Sequence, residues 1–272
     1  MGTVKDDRWS VERITTDVGR LGVGPGDLLM VHVSLRAIGP VEGGADGVLD
    51  ALHEAIGPAG TLFVNVGARD DLDWVNDRPE EDRPGLLEGT EPFDCLRTPA
   101  DPDVGVLAEV FRTRPGTKVS DHPEGRFGAS GPLAADLLDD VPWDDCYGSG
   151  SPLDRFVQAG GQVLRLGADP DTLTIVHYAE HLAPLPHKRR VRRHRLVAGK
   201  NGGPPEVRTV DCLDDSAGIV DHPGEDYFTT ILHTYLATGR ATVGQVGNAV
   251  GELIDAADVV DHAVAWMAGN LA

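Results

Sequence analysis

Leu28-Leu29-Met30-Val31-His32-Val33 and Thr61-Leu62-Phe63-Val64-Asn65-Val66, with Ser34-Leu35-Arg36-Ala37-Ile38-Gly39-Pro40-Val41-Glu42-Gly43-Gly44-Ala45-Asp46 opening the segment between them, decide the fold. The outer pieces are apolar runs of strand length. Between them Val48, Leu49, Leu52 and Ile56 fall on one side of a helix that closes at Gly57-Pro58. Strand, glycine-rich loop, helix and returning strand make a β-loop-α-β unit, so the chain belongs to the α/β class. Backbone N–H groups at such a glycine turn can cradle phosphates, although the turn is neither a P-loop nor a G-x-G-x-x-G.

Outward from this unit, Ser10 opens a first helix with Ile14, Val18 and Leu21 at helical spacing. Helices are also expected over Val104 to Phe111 and Leu133 to Leu138, from Ser151-Pro152-Leu153, over Tyr227 to Leu236, and from Ala256 through Trp266 and Met267. Residues 67–102 carry many acidic side chains and little apolar periodicity, which reads as a long surface loop. Ser120 to Ser130, with its His122-Pro123 turn, reads as another loop. Gly161 to Gly167 is a strand that delivers the chain to its densest chemistry.

That chemistry is Gly167-Ala-Asp-Pro-Asp-Thr-Leu-Thr-Ile-Val-His-Tyr-Ala-Glu-His-Leu182. Asp169 is placed to cap a helix and Pro170 suits its first position. At about 100° per residue, Thr174, His177, Glu180 and His181 cluster on one face, with Ile175, Val176, Ala179, Leu182 and Ala183 opposite. The five residues from His177 to His181 also match H-x-x-E-H, an inverted zinc-protease pattern, but no third ligand is announced downstream.

The 272 residues include 44 acidic and 24 basic side chains, a formal net charge of −20. Nucleic acid is an unsuitable partner for such a surface, whereas a polycationic ligand would be steered to it. No apolar run reaches the roughly 20 residues that span a bilayer, and the N-terminus shows no signal-peptide pattern, so a single cytoplasmic domain over residues 1–272 is expected, as a monomer or homodimer. Cys95, Cys146 and Cys212 form no C-x-x-C and read as free thiols. Against this acidity, His187-Lys188-Arg189-Arg190-Val191-Arg192-Arg193-His194-Arg195 stands out, as a solvated strand by default or as a site for ligand phosphates.

Taken together, four motifs resemble the aminoglycoside 3-N-acetyltransferases of the antibiotic N-acetyltransferase superfamily. They are Val31-His32-Val33-Ser34-Leu35 with Gly39-Pro40-Val41-Glu42-Gly43-Gly44; His122-Pro123; Tyr147-Gly148 with Ser151-Pro152-Leu153; and Leu166-Gly167 with Asp171-Thr172-Leu173-Thr174, His177, Ala179-Glu180 and Leu182-Ala183. The resemblance runs from about Ile14 to Trp266. It implies an α/β fold with a mixed central sheet flanked by helices, distinct from the commoner GNAT acetyltransferase fold. It also implies transfer of an acetyl group from acetyl-CoA to the 3-amino group of a 2-deoxystreptamine antibiotic, conferring resistance, with no metal. His177 would be the general base, Glu180 would orient it or hold a substrate ammonium, and Thr174 would donate to the developing oxyanion. His32, Ser34, Leu35, Arg36, Gly39, Val41, Gly43 and Gly44, helped by Phe127 and Ser151, would receive CoA. Asp70, Asp73, Glu124, Asp171 and Asp226 would receive the cationic acceptor. Val33 and Arg126 stand where many relatives carry Ser. Three other readings remain: an acetyltransferase of the same fold acting on a different amine, an H-x-x-E-H zinc hydrolase, and an acidic binding protein without turnover.

Overall fold

The computed structural model describes residues 8–69, 71–199, 202–224 and 226–271; Asp70, one of the expected acceptor residues, lies outside them. Ser10 caps α1 (Val11–Arg20) by accepting from the Arg13 N–H. The predicted unit follows as β1 (Leu28–Val33), a single-turn helix α2 (Leu35–Ile38), α3 (Ala45–Ile56) and β2 (Thr61–Asn65). A long acidic connection holds the short α4 (Arg83–Leu87) and leads to α5 (Val106–Thr113). Next come β3 (Lys118–Val119), β4 (Phe127–Ser130), α6 (Ala134–Leu138), α7 (Pro152–Gln158), β5 (Gln162–Leu166) and α8 (Val176–Leu182). The hairpin β6 (Arg190–Val197) and β7 (Glu206–Leu213), then α9 (Tyr227–Ala237), β8 (Thr242–Val246), β9 (Ala249–Asp255) and α10 (Ala256–Asn270) complete the fold.

Seven strands form one sheet in the order β3-β4-β2-β1-β5-β9-β8. β1 runs parallel to β2 and β5, while the outer strands pair antiparallel, so the sheet is mixed as the resemblance implies. Side chains alternate across a strand. Leu29, Val31, Leu62, Val64 and Leu164 therefore join the core under α1, α3 and α5, while Met30, Phe63, Val163 and Ile254 join the core under α6 to α10. The central strands are apolar on both faces because helices cover both faces. The three parallel strands end together at Val33, Asn65 and Leu166, and α/β sheets bind ligands beyond such carboxyl ends.

Several expectations are corrected. The loop read from Ser120 to Ser130 contains β4; small residues there admit Phe111 and Val66 against Gly128, which sits within 3.2 Å of both from an added Cβ position. The helix expected from Asp169 is instead a 3-10 turn, Pro170–Thr172, broken at Leu173 (φ −73°, ψ 75°), with α8 starting at Val176. Asp169 makes no side-chain cap; its carbonyl accepts from the Thr172 hydroxyl at 2.7 Å and from Arg165 at 2.9 Å, a local alternative to helix bonding. Leu182, assigned to the core face, is half exposed, and Tyr178 is buried in its place. The basic run does form β6, but it is not simply solvated: Arg193 and His194 are buried.

Candidate active site

His177 and Glu180 stand one turn apart on α8, the spacing at which side chains meet. His177 Nδ1 lies 2.8 Å from Glu180 Oε2. A carboxylate can only accept, so Nδ1–H donates and Nε2 keeps the lone pair available for a proton. The ring lies flat on Tyr147, 4.9 Å between centroids, and meets Phe228 edge-on at 4.8 Å. Glu180 is buried, and its other oxygen accepts from the Tyr227 hydroxyl. Burial works to lower the His177 pKa, but the Glu180 charge and hydrogen bond, with Asp215 and Asp226 beyond, outweigh it and leave the ring above the ordinary value.

His177 lines two neighbouring clefts. One, of about 740 Å³, runs from Val31–Arg36 past Asn65 and Asp103 to Asp171 and Thr174. The other, of about 330 Å³, is bordered by Asp171, Glu180, Asp215 and Asp226. A third space of about 500 Å³ shares Asn65 and Asp103 with the first and Asp215 with the second. The outcome is one branched cleft with His177 at a junction. Thr174 is brought there from the turn before α8, and its hydroxyl is held loosely, 3.4 Å from both Asn65 Nδ2 and the Thr172 carbonyl.

Of the expected CoA residues, His32, Ser34, Leu35 and Arg36 line the larger cleft. Ser34 also caps α2 through its hydroxyl. His32 is buried, and desolvation followed by the neighbouring Arg165 lowers its pKa to about 3, so it is a neutral ring in the cleft wall. The rest of the segment is carried away by the turn of α2. Val41 is buried and bridged to Trp9, Gly39 packs against Asn248, and Gly43 and Gly44 form an exposed left-handed turn before α3. Phe127 and Ser151 have no exposed surface: Phe127 stacks on Phe63, and Ser151 caps α7 by accepting from the Asp154 N–H.

Among the expected acceptor residues, Asp171 lines both clefts at His177, and Asp226 lines the smaller one while capping α9. Asp73 and Glu124 border the third space but are already paired. Arg195 contacts Glu124 at 2.5 Å and Asp73 at 3.0 Å, and Arg193 contacts Asp215 at 2.8 Å. Burial raises the Glu124 pKa, opposed by both arginines. The basic run therefore neutralises the acidic wall from within and does not form a free phosphate site. Asp101, Asp103 and Asp215 also line this space, and only the Asp-Pro-Asp run before α5 offered a sequence signal for any of them.

His122 and Arg126 hold the walls rather than the reaction. His122 is buried, Nε2 donating to the Trp143 carbonyl at 2.7 Å and Nδ1 accepting from the Gly125 N–H at 2.9 Å. Arg126, fully buried, donates to the carbonyls of Gly67, Cys95, Thr98 and Pro99, and so ties down the long acidic connection. His181, the second His of H-x-x-E-H, packs on Gly148 near Asp145 and lines neither cleft at His177. Cys95, Cys146 and Cys212 are free thiols.

A mixed sheet covered by helices, with a His–Glu pair at the branch of a cleft, defines an α/β protein with a candidate acid–base site. Residues 30–268 match the family model described as aminoglycoside 3-N-acetyltransferase. Aminoglycoside N(3)-acetyltransferase III of Serratia marcescens is 40% identical over 269 residues, covering 95% of this chain and 97% of the relative. AAC-IIIb, solved as a binary complex with CoASH, superposes with a TM-score of 0.89 at 37% identity, covering 95% of this chain and 96% of that one. Sisomicin-bound AAC-VIa gives a TM-score of 0.89 at 36% identity, covering 96% and 98%. The chain belongs to the aminoglycoside 3-N-acetyltransferase family.

Proposed function

We propose that the protein transfers the acetyl group of acetyl-CoA to the 3-amino group of a 2-deoxystreptamine aminoglycoside and so confers resistance in the cytoplasm that supplies acetyl-CoA. The observation that carries this reading is His177, paired with Glu180, at the branch between the cleft lined by Ser34 and Arg36 and the space walled by aspartates. Relatives whose names and complexes record this activity, CoASH and sisomicin support the choice of substrates.

The chemistry follows from the residues. An ammonium has no lone pair, so the acceptor reacts as the free amine and must shed a further proton as the C–N bond forms. His177 Nε2 takes that proton, while Glu180 holds the resulting imidazolium. The thioester oxygen gains charge as the amine attacks, and the loosely held Thr174 hydroxyl is placed to turn toward it. The C–S bond then breaks, and the proton on His177 passes to the departing thiolate. Asp103, Asp171 and Asp226 are placed to hold the acceptor's remaining ammonium groups.

Acetyl-CoA-dependent thiol release, measured across aminoglycosides and simple polyamines, tests this reading. Turnover with deoxystreptamine antibiotics and acetylation at the 3-amine support it. Turnover confined to a different amine would keep the chemistry and replace the acceptor.

A further inference from the structure

We propose that Tyr227 is a positioning residue of the reaction: through Glu180, its hydroxyl fixes which nitrogen of His177 is left for the acceptor and the pH at which that nitrogen becomes a base. The inference rests on the reading of His177 as the base and adds a residue to it.

Tyr227 is the first residue of α9, and it is buried. Its ring meets Phe228 edge-on at 5.2 Å, and Phe228 in turn borders the His177 ring. A carboxylate can only accept, so the Tyr227 hydroxyl proton goes to Glu180 Oε1. Glu180 therefore accepts twice, from the Tyr227 O–H at Oε1 and from the His177 Nδ1–H at Oε2. Burial and the facing carboxylate push the phenol well above its ordinary pKa, so it stays a donor throughout the working range.

The sign of its effect follows from treating His177 and Glu180 as one coupled pair. A donor on the unprotonated, anionic form of the pair stabilises that form and lowers its affinity for a proton, wherever the proton is then held. Removing the donor raises that affinity. The other charged groups facing the pair come from several elements. Asp171 precedes α8, Asp215 and Asp226 precede α9, and His181 and Lys188 lie at and beyond the end of α8. None of them is altered by a change at Tyr227.

The test is the pH dependence of kcat/KM. Tyr227→Phe keeps the ring and its aromatic contacts, and the rate limb assigned to His177 should move up by about one pH unit, a tenfold loss below the limb that is recovered above it. Replacing Tyr227 with 3,5-difluorotyrosine, a more acidic phenol of similar shape, should move the limb down. In a Glu180→Gln background, Tyr227→Phe should no longer shift it, because the coupling passes through Glu180. A loss of rate equal at every pH, or the same shift with and without Glu180, overturns the proposal and leaves Tyr227 a packing residue. If His177→Gln leaves the limb in place, the base assignment itself fails; if His177→Gln removes the limb and Tyr227→Phe does not move it, only this inference fails.

Discussion

Arg195 Nε lies 2.5 Å from Glu124 Oε1, with the two side chains only 11% and 10% exposed. This contact explains how so acidic a chain tolerates carboxylates crowded along one cleft. β6 supplies arginines from within, and the sequence's most basic run becomes internal counter-charge. A buried pair of this kind is unforgiving of losing one member, because the other charge is left desolvated.

Glu124→Gln should therefore destabilise the fold by roughly 3–5 kcal/mol. Asp73→Asn, which removes a partner that is 62% exposed, should cost well under 1 kcal/mol. Denaturant midpoints of the two variants check this. Equal losses would mean that Arg195 is held by Asp73 as firmly as by Glu124.

Acceptor binding should depend instead on carboxylates outside these ion pairs. Asp103→Asn and Asp171→Asn each remove a negative charge from the cleft at His177, and each should raise KM for a polycationic acceptor by something like 3- to 10-fold at low salt. The acetyl-CoA KM should change little. Initial rates at low and high ionic strength decide it: the wild-type acceptor KM should climb with salt more steeply than that of either variant.

Two buried imidazoles give the fold an acid weakness. Burial, then Arg165, lowers the His32 pKa to about 3, and burial lowers that of His122 to about 4 against the pull of the Trp143 carbonyl. The unfolded chain binds a proton at each near pH 6.5, which the folded chain refuses, so stability is intact above that pH and is lost as pH falls toward 4 and then 3. Each ring contributes a slope of up to about 1.4 kcal/mol per pH unit in that window. His122→Gln should lower stability at neutral pH yet flatten its decline between pH 6.5 and 4. Equilibrium unfolding at several pH values shows whether it does.

Much of this was legible before the structure. Two-sided apolar runs gave β1 and β2, and the His177–Glu180 pairing is a consequence of helical spacing alone. The third and fourth strands were hidden because β3 is two residues long and β4 opens in a stretch of glycine, proline and small residues. Tyr147, Tyr227, Phe228 and Asn65 reach the site through long-range topology, for which no local pattern exists. The Asp169 helix failed because the Thr172 hydroxyl and Arg165 compete for the Asp169 carbonyl that a helix would use, a local competition that helical periodicity does not register.

Arg126 shows how a charge can be read wrongly from sequence. An arginine in a loop suggests solvent, but this one is fully buried, and its two terminal nitrogens donate to four carbonyls that no regular structure uses. Arg126→Ser should cost about 3 kcal/mol or more, through lost charge-assisted hydrogen bonds and carbonyls left bare. The freed connection also lines the third space through Gly67 and Ala68, so if that space receives the acceptor, acceptor KM should rise while acetyl-CoA KM holds. Arg126→Lys, which keeps the charge but not the fork of donors, should fall between the two. Melting temperatures with both KM values provide the check.

His177→Gln offers the most direct measure of the chemistry. Glutamine keeps a polar side chain on α8 but cannot carry the proton between amine and thiolate, so kcat should fall by about 10²–10⁴-fold with acetyl-CoA affinity little changed. The imidazole is held above its ordinary pKa because Glu180, seconded by Asp215 and Asp226, outweighs burial. As the proposed base it works only once deprotonated, so the wild-type rate should rise with pH through an ionisation somewhat above that of an ordinary His, and the variant should lack that limb. Glu180→Gln removes the main cause of the raised value, so its limb should move to lower pH while the rate above the limb falls less than in His177→Gln. Pre-steady-state acetyl transfer, measured beside equilibrium CoA binding, separates chemistry from affinity. A His177→Gln enzyme that kept its rate and its limb, with His181→Gln losing both, would move the base one turn along α8 and away from the branch of the cleft.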